Sequence, residues 1–127
     1  NLYLMQLRDS KPNIIYPEHW GFFAGHWKNN ETAEDAMIRE LIDELCWRPK
    51  SLTYLGNIIV EGNRRIHVHK CYSNKNIHSF DLQEGQELGA FTKEEIASNT
   101  LFSNKLMKRF PVTPISIEVF KCFIANN

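Results

Sequence analysis

The stretch Gly25–Trp47, GHWKNNETAEDAMIRELIDELCW, constrains this chain most. Its second half predicts one amphipathic helix. Thr32 is a good N-cap, and Asp35 three residues on completes a capping-box pattern. Glu34 and Asp35 occupy the first turn, where the helix dipole favours negative charge. Apolar residues recur at Ile38, Leu41, Ile42 and Leu45, the spacing of a buried helical face. At about 100° per residue these four span an arc of roughly 100°, and Glu40, Asp43 and Glu44 span a similar arc opposite. Arg39 lies between the two arcs, and Pro49 forbids much continuation.

Carboxylates at i, i+3 and i+4 on one helix repel one another. A hard cation such as Mg²⁺ or Mn²⁺, which takes oxygen ligands, relieves that repulsion. A solvated acidic helix face is the alternative for these three residues taken alone.

The surrounding pattern adds to this. Gly25, Glu31, Arg39, Glu40, Leu41 and Glu44 stand at the spacing G-x5-E-x7-R-E-U-x-E-E-x-G-U, where U is a bulky aliphatic residue. The stretch closely resembles the Nudix box, and the chain is similar to MutT-like members of the Nudix hydrolase family. Three positions depart from that pattern. Asp43 replaces a Glu and shortens the reach by one methylene, Cys46 replaces the Gly that normally ends the helix, and Trp47 replaces an aliphatic residue.

A chain of 127 residues suits one domain with a real core, so residues 1–127 are expected to form a single Nudix domain. Lys plus Arg equals Asp plus Glu, for a formal net charge of zero. That argues against a protein whose main task is binding nucleic acid through its backbone. No apolar run approaches a membrane span, and the start lacks the basic and apolar regions of a signal peptide. Three widely spaced cysteines, Cys46, Cys71 and Cys122, match neither a CxxC metal pair nor a disulfide framework. They read as reduced thiols of a cytoplasmic protein.

Leu2 to Arg8 predicts a strand at the very start. Nudix proteins usually place a further strand before it, so an N-terminal strand is expected to be missing. Asp9 to Pro17 is loop-like, and Trp20 to Gly25 resembles the aromatic and glycine segment that precedes the box. Tyr54–Val60 and Arg65–Tyr72 predict a hairpin turned at Glu61 to Arg64. His67 and His69 share a face of its second strand, either as a two-His metal site or as polar residues on a half-buried strand. Arg64 and Arg65 are tentative substrate contacts, with solvated arginines as the alternative. Thr92 and Glu95 predict a capped helix start, Pro111 and Pro114 mark a break, and Ile115–Ile124 predicts a last helix.

Glu84-Gly85-Gln86 resembles the E-G-Q loop of MutT-type enzymes. By that resemblance Glu84 adds a metal ligand from outside the helix, with Glu87 as the competing acid and tentative substrate contact. The fold implied is α+β, a Nudix-type α/β/α sandwich on a central mixed sheet. The activity implied is metal-dependent pyrophosphohydrolysis, cleaving the diphosphate of a nucleoside diphosphate linked to another group. Mg²⁺ or Mn²⁺ on Glu40, Asp43, Glu44 and Glu84 would offset the charge of the diphosphate and lower the pKa of a bound water. Glu44 or Glu40 is the candidate base on the helix, with Glu84 or Glu87 as the alternative from the loop, and Glu31 with Arg39 is expected to join the Gly25 loop to the helix. The rival reading is a degenerate Nudix module that binds a nucleotide or a protein without hydrolysis. Trp20, Phe22, Phe23 and Trp27 offer either stacking surfaces for a base or core packing.

Overall fold

In the computed structural model, which describes residues 1–127, the chain divides into two units. Asn1–Phe22 with Glu84–Asn127 makes one, and Phe23–Gln83 makes the other.

The first unit is built around β1, Tyr3–Leu7, the central strand of an antiparallel sheet. β2 (Trp20–Gly21) flanks it on one side, and β5 (Glu87–Phe91) on the other. Met5 and Leu7 alternate into the core and are fully buried. Trp20 is buried too, and two polar contacts fix it there. Its Nε1 donates to the Leu101 carbonyl at 3.0 Å, and its own carbonyl accepts from Thr113 N–H at 2.9 Å. Its ring meets Phe91 edge-on at 4.9 Å. The structure thus assigns Trp20 to packing. Phe22 packs partly buried against the same core.

A capping box formed by Thr92 and Glu95 starts the short helix α2, Lys93–Ile96. β6 (Thr100–Ser103) and β7 (Lys108–Pro111) then form an antiparallel hairpin. The sequence reading placed only a break at Pro111, and the hairpin is a correction to it. Leu101, Ser103 and Phe110 point inward, but the run is short and Pro111 ends it. The last helix, α3, spans Pro114–Phe123, with Thr113 as N-cap and proline in its first turn, where a missing N–H costs nothing.

The second unit holds α1 (Ala33–Leu45) and the hairpin of β3 (Thr53–Val60) and β4 (Arg64–Lys70). Both halves of the α1 capping box form: Asp35 N–H donates to Thr32 Oγ1 at 3.1 Å, and Thr32 N–H donates to Asp35 Oδ2 at 3.3 Å. Cys46 ends the helix in the left-handed conformation at φ 54° and ψ 37°, and its N–H donates to the Ile42 carbonyl at 2.9 Å. A non-glycine residue there costs about 1 kcal/mol. The helix therefore stops where the box pattern puts a glycine, with the strain accepted at Cys46.

The buried face of α1 differs from the one its apolar spacing predicts. Ala36, Leu41, Glu44 and Leu45 are buried, whereas Ile42 is exposed. On a helix of 3.6 residues per turn this is a rotation of roughly a quarter turn, toward the acidic side. Leu41 and Leu45 are buried on that face, and the Glu44 carboxylate is buried beside them.

The α+β class holds. The strands are hydrogen-bonded as three small antiparallel sheets, and Trp20 with Val112 adds a parallel bridge. No helix is long and apolar enough to cross a membrane.

Candidate active site

Arg39 is the hub of the second unit. Its Nε donates to Glu31 Oε2 at 2.7 Å and its Nη2 to Glu31 Oε1 at 3.1 Å, a two-point grip on one carboxylate. Nη2 also donates to the His26 carbonyl at 2.5 Å, and Nη1 to Glu40 Oε1 at 2.6 Å. Asp43 Oδ2 lies 3.9 Å from Nη1. Lys28 N–H adds a 2.8 Å bond to Glu31 Oε1. The Arg39 guanidinium, helped by Lys28 N–H, holds the Glu31 carboxyl below its ordinary 4.5. Glu31, with Glu40, in turn raises the Arg39 pKa further above its ordinary value.

Gly25 explains how the loop comes so close to the helix. A Cβ on Gly25 would lie 2.9 Å from the carbonyl carbon and oxygen of Ala36. Those are helix backbone atoms that cannot step aside, so only glycine permits this approach. The requirement is close approach to α1.

The three box carboxylates differ in exposure. Glu44 is 8% exposed. The Glu40 side chain is 18% exposed and Asp43 61%. The Glu44 carbonyl accepts from Gln83 N–H at 2.8 Å, and the Leu45 carbonyl accepts from Asp81 N–H at 3.3 Å. The segment before Glu84 thereby satisfies the last carbonyls of α1. Oxygen donors of this kind suit a hard cation such as Mg²⁺ or Mn²⁺. As the side chains stand, no three His, Cys, Asp or Glu are gathered closely enough to hold a metal. Glu40 is held on the Arg39 guanidinium, and Asp43 extends toward solvent.

In the first unit, the E-G-Q loop is fixed by two of its three residues. Gly85 sits at φ +87°, and a Cβ there would lie 2.9 Å from the Leu7 carbonyl oxygen. Gln86 N–H donates to the Leu7 carbonyl at 2.8 Å, and Gln86 Nε2 to the Arg8 carbonyl at 3.0 Å. Glu84 is exposed. Glu87 has a different setting: Ser103 Oγ donates to its Oε1 at 2.5 Å, and Asn104 N–H to its Oε2 at 3.2 Å. Its carboxylate braces the β6–β7 turn.

On the hairpin, Arg64 is exposed, and Arg65 Nη1 donates across the strands to Asn57 Oδ1. His67 and His69 lie on one face, with Tyr54 beside both rings. Burial lowers the His69 pKa, with Glu34 opposing and His67 adding to the effect. Arg48 went unmarked by the box pattern. It lines an open groove on the outer face of α1 with Asp35, Ile38, Arg39, Ile42 and Asp43. The pattern gives no signal for it, because it lies beyond the helix end. Cys46, Cys71 and Cys122 are free, and burial raises the Cys71 thiol pKa.

A search of curated proteins gave no match. Among solved structures, the E. coli ORF135 protein is similar with a TM-score of 0.67 at 22% identity, covering 98% of this chain and 80% of that one. A Nudix hydrolase from M. smegmatis, RenU, gives 0.63 at 15% identity over 95% of this chain and 71% of that one. A C. elegans Ap4A hydrolase binary complex gives 0.57 at 20% identity over 99% of this chain and 89% of that one. These likenesses establish a shared fold. The NUDIX domain model matches residues 3–111. With that match over most of its length, and with Arg39 gripping Glu31 beside the acidic turn of α1, the chain belongs to the NUDIX family.

Proposed function

We propose that this chain is a divalent-metal-dependent pyrophosphohydrolase acting on a nucleoside diphosphate linked to another group, such as a nucleoside triphosphate. The observation that carries the reading is the Arg39 hub, which ties the Gly25–Glu31 loop to the acidic turn of a helix in a NUDIX-family chain. A diphosphate resists attack because its oxygens repel a nucleophile. Glu40, Asp43 and Glu44 are the proposed metal ligands on α1, and Glu84, the residue after Gln83 in the chain, is the proposed ligand from the loop. Those carboxylates would hold Mg²⁺ or Mn²⁺, which would supply positive charge against the diphosphate and make water a better nucleophile.

The protein's own residues supply position and proton transfer. Arg39 orients Glu40 while Glu31 fixes Arg39. Glu44, or Glu40, accepts a proton from water as the water oxygen bonds to phosphorus. The bridging P–O bond then breaks, and its electron pair leaves with the departing phosphate. Arg64 and Arg65 are exposed and suited to an anionic substrate, and Glu87 is left to the β6–β7 turn. Its three free thiols suit the reducing cytoplasm.

The test is hydrolysis of a panel of nucleoside triphosphates, dinucleoside polyphosphates and nucleotide sugars, with Mg²⁺ and with chelator. Turnover of at least one with Mg²⁺, and none with chelator, is the expected result. Turnover undiminished by chelator would sink the metal-dependent reading. Nucleotide binding without turnover of any diphosphate would favour a binding module.

A further inference from the structure

We infer that Trp27 is the stacking platform for the nucleobase of the substrate, an inference that rests on the hydrolase reading above for the identity of its ligand. Trp27 is 60% exposed, unlike Trp20 in the core of its unit and Trp47, which is half-buried edge-on to Phe80 at 5.6 Å. Leaving so large an apolar ring in water forgoes burial that a ligand can supply.

Its position is fixed. The residue before it, His26, accepts from Arg39 through its carbonyl, and the residue after it, Lys28, donates its N–H to Glu31. The same Arg39 holds Glu40. The ring is therefore carried on the loop that Arg39 ties to a proposed metal ligand.

The ring also has a rigid backing. The His67 imidazole stacks on it at 5.4 Å and 13°. Tyr54 Oη and His67 Nδ1 share a 2.8 Å hydrogen bond, and Asn57 Nδ2 donates to Tyr54 Oη at 3.2 Å. Arg65 Nη1 in turn donates to Asn57 Oδ1. This chain of contacts fixes the His67 ring from across the hairpin. With its centroid 5.4 Å from that of Trp27 and the planes nearly parallel, the His67 ring covers one side of the indole, so the base takes the open side. A flat heteroaromatic ring is the ligand chemistry that an exposed, backed indole recognises, and such stacking tolerates any of the bases.

The experiment is titration of tryptophan fluorescence, with chelator present, by adenosine and guanosine monophosphates and by ribose phosphate, which has no base. Both nucleotides should quench wild-type emission, ribose phosphate should not, and Trp27→Leu should abolish the quenching. In the hydrolysis assay, Trp27→Leu should reduce selectivity for a nucleoside triphosphate over phosphoribosyl diphosphate by about tenfold. Trp27 is exposed, so its replacement empties no core. Unchanged selectivity, or equal quenching by ribose phosphate, would overturn the stacking role. Absence of turnover with every diphosphate overturns the hydrolase reading instead, and the quenching titration then decides the stacking by itself.

Discussion

Glu44→Gln is expected to lower kcat by about 10³-fold, the scale of losing a positioned proton acceptor. Glutamine keeps the shape of a side chain that is 8% exposed and removes its charge. The backbone at Glu44 is held by the bond from Gln83 N–H to its carbonyl, which the substitution does not touch. Circular dichroism and the thermal midpoint should therefore stay close to wild type while turnover falls. A variant that retains a third or more of wild-type kcat would remove Glu44 from the chemistry.

Arg39→Lys is the second large effect. Lysine keeps the positive charge but loses the planar fork that grips both Glu31 oxygens and also reaches the His26 carbonyl and Glu40. The Mg²⁺ concentration for half-maximal rate should rise about 10- to 100-fold, as when a residue that orients a metal ligand is replaced. Arg39 is a positioning residue, so the shift should appear in the metal requirement while saturating Mg²⁺ restores much of the rate. An unchanged metal requirement would confine Arg39 to holding the loop. The pair itself withstands mild acid. Because the Glu31 carboxyl is held below its ordinary 4.5, the tie's contribution is complete above that pH and is lost only as pH falls through the lowered value.

Local chemistry made much of this legible in advance. The α1 start was readable because Thr32 and Asp35 bond to each other's backbone within one turn. Arg39 and Glu31 were paired in advance by resemblance to the box, and the structure shows the pair as a two-point ion pair. The buried side of α1 was less legible. Periodicity weighs Ile42 and Leu45 alike, but the surroundings of the helix decide which is covered, and Ile42 is left exposed. The β6–β7 hairpin was missed for a similar reason. Its turn is braced by Glu87, sixteen residues before Ser103, a contact that no local pattern announces. Sequence alone does not separate Trp27 from Trp20, Phe22 and Phe23, because all four are aromatic and near the box. Their different exposure depends on tertiary packing.

The α1 carboxylates are the proposed ligands of the divalent cation. Electron paramagnetic resonance of free Mn²⁺, titrated with wild-type protein and with the Glu40→Gln/Glu44→Gln variant, tests that role without depending on the substrate. Wild-type protein should deplete the free Mn²⁺ signal, and the variant should bind at least about tenfold more weakly. Equal Mn²⁺ affinity in the two proteins, or no binding by wild type with or without nucleotide, would remove these carboxylates from the metal site.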